Sequence, residues 1–174
     1  QYDRAIADYD EAIRLDPQTA ASFVSRGYAY TRSGQPDRAI ADYDEAIRLD
    51  PQNAGAFCNR GALYFDKREY DRAIADYDEA IRLDPRICRR LLHRGEAYLQ
   101  KSQNDRAIAD LDEAIKLNPK DGEAFYNRGM AYANKGQHDR AIVDYDEAIR
   151  LDPNFTLAIE SPTVEYLVAA GLEG

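Results

Sequence analysis

Apolar residues along most of this chain fall into two alternating stripes, and both have helical spacing. In the first, Phe23, Gly27 and Tyr30 stand at i, i+4 and i+7, positions that share one side of an α-helix. In the second, Ala39, Tyr43, Ala46 and Ile47 form another such side. The small Gly27 and Ala39 permit the close backbone approach of two crossing helices, so the stripes predict an antiparallel helical hairpin. Prolines at 17, 51, 85, 119 and 153 follow the second stripes. Their rings lack an amide donor and clash with the preceding turn, so each marks a helix boundary. Asp50 is expected to cap the incoming helix, with Pro51 as its first residue. Asp37 and Glu69 suit the positive ends of the second helices.

The pattern repeats. The segment 3–17 returns unchanged at 37–51 and 71–85, and with small edits at 105–119 and 139–153, a period of 34 residues. Between these near-copies lie Phe23/Arg26/Gly27/Tyr30, Phe57/Arg60/Gly61/Tyr64, Leu91/Arg94/Gly95/Tyr98 and Phe125/Arg128/Gly129/Tyr132. A period of this length predicts stacked supersecondary units rather than one closed core. The reading is a half repeat at 1–19, then full repeats at 20–53, 54–87, 88–121 and 122–155. Residues 156–174 leave the pattern. Ser161 and Pro162, with Val164, Leu167, Val168 and Leu172 behind them, predict a short helix covering the last repeat; a tail that docks elsewhere is the other reading.

The stripes resemble the tetratricopeptide repeat. Its order of aromatic, Gly, Tyr, then Ala, aromatic, Ala and Pro is met by Phe57, Gly61, Tyr64, Ala73, Tyr77, Ala80 and Pro85, and again in the repeats starting near 20, 88 and 122. Two departures stand out: Arg26, Arg60, Arg94 and Arg128 occupy a place where the family usually has an apolar residue, and the 88–121 copy carries Leu91 and Leu111 in place of aromatics. The resemblance implies an all-α fold, a right-handed α-solenoid of antiparallel helix-turn-helix repeats with a concave groove built from the first helices. It also implies a protein-protein interaction scaffold that binds a peptide or helix of a partner in that groove.

Because the second helices are nearly identical in every copy, features that tell one ligand from another must lie on the first helices. A helical wheel puts Ala21, Val24, Tyr28 and Thr31 opposite the Phe23 stripe, with Gly55, Cys58, Ala62 and Phe65, then Arg89, Leu92, Glu96 and Leu99, then Glu123, Tyr126, Met130 and Ala133 as counterparts. Val24, Tyr28, Phe65, Leu92, Leu99, Tyr126 and Met130 would offer apolar and aromatic surface to a peptide. Packing between neighbouring first helices competes for Val24, Cys58 and Leu92. Asn59, Arg89, His93, Glu96 and Asn127 complete the candidate groove. Within the basic run from Arg86 to Arg94, Arg86, Arg89 and His93 would favour a carboxylate ligand. Family co-chaperones clamp a terminal carboxylate with Lys, Asn and Arg from successive first helices; Asn59, Arg89 and His93 match later places of that set, but Val24 and Tyr28 occupy the first two, so the clamp is incomplete. The four repeated arginines are expected to pair with aspartates of neighbouring second helices, such as Asp42 or Asp76.

Composition narrows the field. With 44% apolar and 32% charged residues the chain is globular rather than disordered. A net charge of -9 argues against phosphate-backbone binding to nucleic acid. Two cysteines without CxxC spacing, Cys58 and Cys88, read as free thiols rather than a disulfide or zinc site. His93 and His138 are isolated, and the carboxylates recur in every copy as a solvated face would; no enzyme, cofactor or metal is expected. No apolar run is long enough for a membrane span. The chain opens on Gln1 in mid-repeat, which reads as a missing natural start; the compartment is not legible, with the cytoplasm slightly favoured. Two other readings are a self-assembling element that stacks through its terminal helices and the recognition arm of a larger enzyme.

Overall fold

The computed structural model describes residues 2–85 and 88–153, the side chain of Cys88 excepted. Among them are helices and turns and no strand. The chain forms two compact units that divide after Pro85. The first holds α1 (Tyr2–Leu15), α2 (Ala20–Arg32), α3 (Pro36–Leu49), α4 (Ala54–Asp66) and α5 (Tyr70–Leu83). The second holds α6 (Cys88–Gln100), α7 (Asn104–Leu117), α8 (Gly122–Asn134) and α9 (His138–Leu151). Within each unit α2 and α3, α4 and α5, α6 and α7, and α8 and α9 pair as hairpins, and each hairpin also packs on the next. The expected helix over 156–174 and the Arg86 end of the basic run lie outside the described residues.

Each hairpin closes by setting a ring against a glycine. Tyr43 and Tyr77 are each 1% exposed, and a Cβ built on Gly27 would stand 2.9 Å from the Tyr43 ring. On Gly129 it would stand 2.7 Å from the Tyr145 ring, inside any real carbon contact. Glycine is therefore required for the approach, and each sealed ring contributes roughly 2–3 kcal/mol of apolar burial. In the 88–121 copy Leu111 takes the ring's place, fully buried and 3.0 Å from a Cβ on Gly95.

The turn inside each hairpin needs a left-handed residue. Gly34 (φ +74°) and Gly136 (φ +71°) supply it in two copies, while Arg68 (φ 61°) and Ser102 (φ 57°) hold the same conformation without glycine's freedom. In all four, the amide one residue later donates to the carbonyl of the repeated tyrosine, as Gln35 does to Tyr30 at 2.9 Å.

The turn between hairpins differs from the sequence expectation. Pro51 does not open α4. Asp50 ends α3, its side chain accepts from the Gln52 amide at 3.0 Å, and its carbonyl accepts from the Asn53 amide at 3.1 Å. Pro51 thus sits at the second position of a tight turn, where its fixed φ is suited. The cap of α4 is Asn53, whose Oδ1 accepts from the Ala56 amide at 2.9 Å.

Candidate functional site

In the first unit the candidate residues lie on the sides of α2 and α4 turned away from the ring-glycine seams. Tyr28 is 55% exposed. Val24 is half-buried and rests on the core of the first hairpin. The buried Tyr43 brings its hydroxyl up between the two helices, where Thr31 lies 3.5 Å away and Asn59 also hydrogen-bonds it. Burial pushes the Tyr43 hydroxyl above the ordinary tyrosine range. Phe65, also half-buried, meets Tyr70 edge-on with ring centres 5.5 Å apart. The surface is therefore aromatic and neutral, with hydroxyl and amide groups at its floor.

In the second unit the corresponding face of α6 and α8 is more polar. Arg89 is exposed. The Glu96 carboxylate accepts from Asn127 Nδ2 at 3.0 Å and lies 3.1 Å from His93 Nδ1. Asn127 is 7% exposed, so this contact is shielded from water. Nearby, burial pushes the Glu123 carboxyl above its ordinary range and the Glu96 charge adds to this, while His93 and Arg89 oppose it. The Tyr126 ring lies 5.7 Å from that of Tyr145 at a 45° tilt, and Met130 packs on the same cluster. Burial, with the neighbouring Tyr126 and Asp144, pushes the Tyr145 hydroxyl up to about 12.

Two of the expected groove residues are core residues. Leu92 is 1% exposed and Leu99 8% exposed. Both lie at the edge of the α6 wheel, where a short aliphatic chain folds down against its neighbours while a longer aromatic such as Tyr126 at the equivalent place keeps part of its surface in water. His93 is engaged by Glu96, so the expected carboxylate receptor retains only Arg89 among the described residues. The i, i+3 spacing of His93 and Glu96 is the signal in the sequence that points to this pair.

The repeated arginines play the same structural part in each hairpin. Arg26 donates through Nε and Nη2 to both oxygens of Asp42, at 2.8 and 2.6 Å, and through Nη1 to Asp10 at 2.7 Å. Arg60 repeats this with Asp76 and Asp44, and Arg128 with Asp144 and Asp112. Arg94 holds Asp110 in the same two-pronged way. Each of the four also lies over the aromatic ring one turn later, as Arg26 lies 5.8 Å from the Tyr30 centre. The contacts to Asp42 and Asp76 match the expectation; the backward arms to Asp10 and Asp44 add to it, and both aspartates stand sixteen residues from the arginine, as do the forward ones.

Among the described residues no group of three His, Cys, Asp or Glu side chains could hold a metal ion, and no helix is long and apolar enough to cross a membrane.

Tetratricopeptide repeat models match residues 1–34 and 27–68, 54–87 and 92–154. No curated protein sequence matches the chain. Among solved structures, MamA is 26% identical, with 89% of this chain and 91% of that one aligned at a TM-score of 0.83. YrrB, described as a TPR protein with an unusual peptide-binding site, is 22% identical over 95% of this chain and 91% of its own, with a TM-score of 0.78. The Arabidopsis OM64 TPR domain is 27% identical over 64% of this chain and 93% of its own, with a TM-score of 0.62.

Proposed function

This chain belongs to the tetratricopeptide repeat family and is a protein-interaction scaffold, and from that premise we propose that it binds partner peptides on the faces of its first helices. The reading is carried by one observation: the stripes that seal the hairpins are nearly the same in every copy, with Leu91 and Leu111 the exceptions, whereas the opposite faces differ from copy to copy and hold partly exposed aromatic and apolar groups. A surface kept apolar without being used to fold is a surface available to a ligand.

Each unit offers its own chemistry. Val24, Tyr28, Asn59 and Phe65 suit an aromatic or aliphatic anchor with a backbone or hydroxyl group beside it. Tyr126 and Met130 suit a flexible apolar side chain, since a thioether adapts its shape to what it meets. Arg89, His93, Glu96 and Asn127 set the polar border, with Glu96 already satisfied by two neighbours. A peptide held by apolar anchors is therefore favoured over one held by a terminal carboxylate. The peptide-binding site described for YrrB, a protein of the same fold, is consistent with this reading.

The test is a peptide-library selection on the intact chain beside a Tyr126→Ala, Met130→Ala, Arg89→Ala variant whose helicity is verified by circular dichroism. Peptides enriched by the first and lost by the second support the reading. Equal enrichment by both would refute it for the second unit.

A further inference from the structure

Glu123 is a carboxylate that the fold leaves without a partner. It stands in the first turn of α8, half-buried, and makes no hydrogen bond or ion pair among the described residues. Burial is the largest penalty on its charge; Glu96 and Asp121 add to that penalty, while His93 and Arg89 oppose it. Three carboxylates thus meet two bases, and the face keeps an excess of negative charge. Glu96 is held in place on the same face, because Asn127 Nδ2 donates to its Oε1 at 3.0 Å and His93 Nδ1 lies 3.1 Å from its Oε2. Its side chain is still 21% exposed.

Neither glutamate belongs to the repeat. The positions equivalent to Glu96 hold Tyr28, Ala62 and Met130, and those equivalent to Glu123 hold Ala21, Gly55 and Arg89, yet all four hairpins close in the same way. The fold does not need these two charges, and Glu123 weighs against it at neutral pH, as residues kept for binding commonly do. Beside them lies apolar surface. Tyr126 stands one turn beyond Glu123 on α8 and Met130 one turn beyond that, both half-buried against the Tyr145 cluster. Apolar footing next to an unmatched negative charge suits a side chain with an aliphatic stem and a cationic head: the stem lies on the apolar groups and the head reaches the acids. Along the helix axis Glu123 is roughly 5–10 Å from the two apolar residues, and alternate residues of an extended peptide are about 6.8 Å apart. Resting on the reading that this face binds peptides, we infer that the face of α6 and α8 selects peptides with a lysine or arginine two residues from an apolar residue. The cation meets Glu123 and Glu96, and the apolar group meets Tyr126 and Met130. A peptide with an acid in the basic place is repelled. The first unit, with Gly55 and Ala62 in the equivalent positions, has no such preference.

The test is a selection from a random peptide library on the intact chain, keeping only peptides that fail to bind a Tyr126→Ala, Met130→Ala variant. The retained set should carry lysine or arginine two places from an apolar residue. One retained peptide, made with a fluorescein label, is then titrated by anisotropy. Replacing its basic residue with norleucine, which keeps the stem and removes the charge, should weaken binding to the parent chain about tenfold. On a Glu96→Gln, Glu123→Gln chain the same replacement should make no difference. Glutamine keeps the shape of both side chains and, at position 96, an acceptor for Asn127, so these variants test recognition with the fold intact. A new selection on a Glu123→Lys chain should enrich acidic residues at the same place. A retained set without the basic preference, or an equal loss with norleucine on both chains, would overturn this inference and leave the peptide-binding reading standing. An empty retained set would overturn that reading for the second unit, and this inference with it.

Discussion

Replacing Arg60 with leucine should unfold the first unit more easily, and the geometry around Asp76 sets by how much. The Asp76 side chain is 7% exposed and receives Nε at 2.9 Å and Nη2 at 2.7 Å. Losing one partner of a fully buried ion pair costs about 3–5 kcal/mol, because the remaining charge is stranded. Here the Arg60 side chain keeps 18% exposure, so water can reach the vacated place, and about 2–3 kcal/mol is expected. The second arm, to Asp44, behaves differently. That carboxylate is 53% exposed, so Asp44→Ala should cost only roughly 0.2–1 kcal/mol. Urea unfolding followed by far-UV circular dichroism measures both, with equal slopes required before midpoints are compared. A double-mutant cycle adds the decisive arm: Arg60→Leu with Asp76→Leu removes the stranded charge and should be less destabilised than the sum of its parts by about 2 kcal/mol. An unchanged midpoint for Arg60→Leu, or an Asp44→Ala loss as large as that of Asp76→Ala, would refute the reasoning.

Arg68 holds a left-handed conformation that glycine adopts in the equivalent turns at 34 and 136; Arg68→Gly should raise the urea midpoint by an amount equivalent to about 1 kcal/mol, less the extra freedom glycine gives the unfolded chain. Glu123 has a carboxyl raised above its ordinary range by burial and by Glu96, so the folded state holds its proton more tightly than the unfolded state does. Its contribution to stability is present below the ordinary glutamate range and is lost as pH rises through the raised value. Glu123→Gln should therefore melt higher than the parent chain at neutral pH, with the gain vanishing in acid below the ordinary glutamate range; a gain independent of pH would show another cause.

Most of the fold is legible in the repeat itself. Phe23, Gly27 and Tyr30 against Ala39, Tyr43 and Ala46 specify a seam, and five spaced copies of the second stripe leave little freedom in how the helices pair. The arginine-aspartate pairs are legible for the same reason, since four identical charges in one position imply a shared partner. The departures are local. Asp50, Pro51 and Asn53 offer two potential caps to one helix, and the choice depends on a turn whose hydrogen bonds the helical period does not encode. Leu92 and Leu99 depart from the expected groove because a helical wheel gives direction but not the depth of the neighbour that closes over a side chain. In α6 that difference separates core from surface.

The repeated arginines also bear on how such a chain can change over generations. In α2, α4 and α8 each arginine reaches an aspartate sixteen residues ahead and another sixteen residues behind, so its bonding depends on sequence distance and not on which copy it occupies. Recombination between near-identical copies that adds or deletes whole periods of 34 residues returns every arginine to two correctly spaced acids. An insertion of any other length strands a buried carboxylate if it falls between an arginine and the aspartate ahead of it, and breaks only a half-exposed arm if it falls between hairpins. The buried pairs inside the hairpins thus act as a proofreading ruler for gene duplication, passing lengthened and shortened descendants that keep the period and penalising those whose junction falls inside a hairpin out of register.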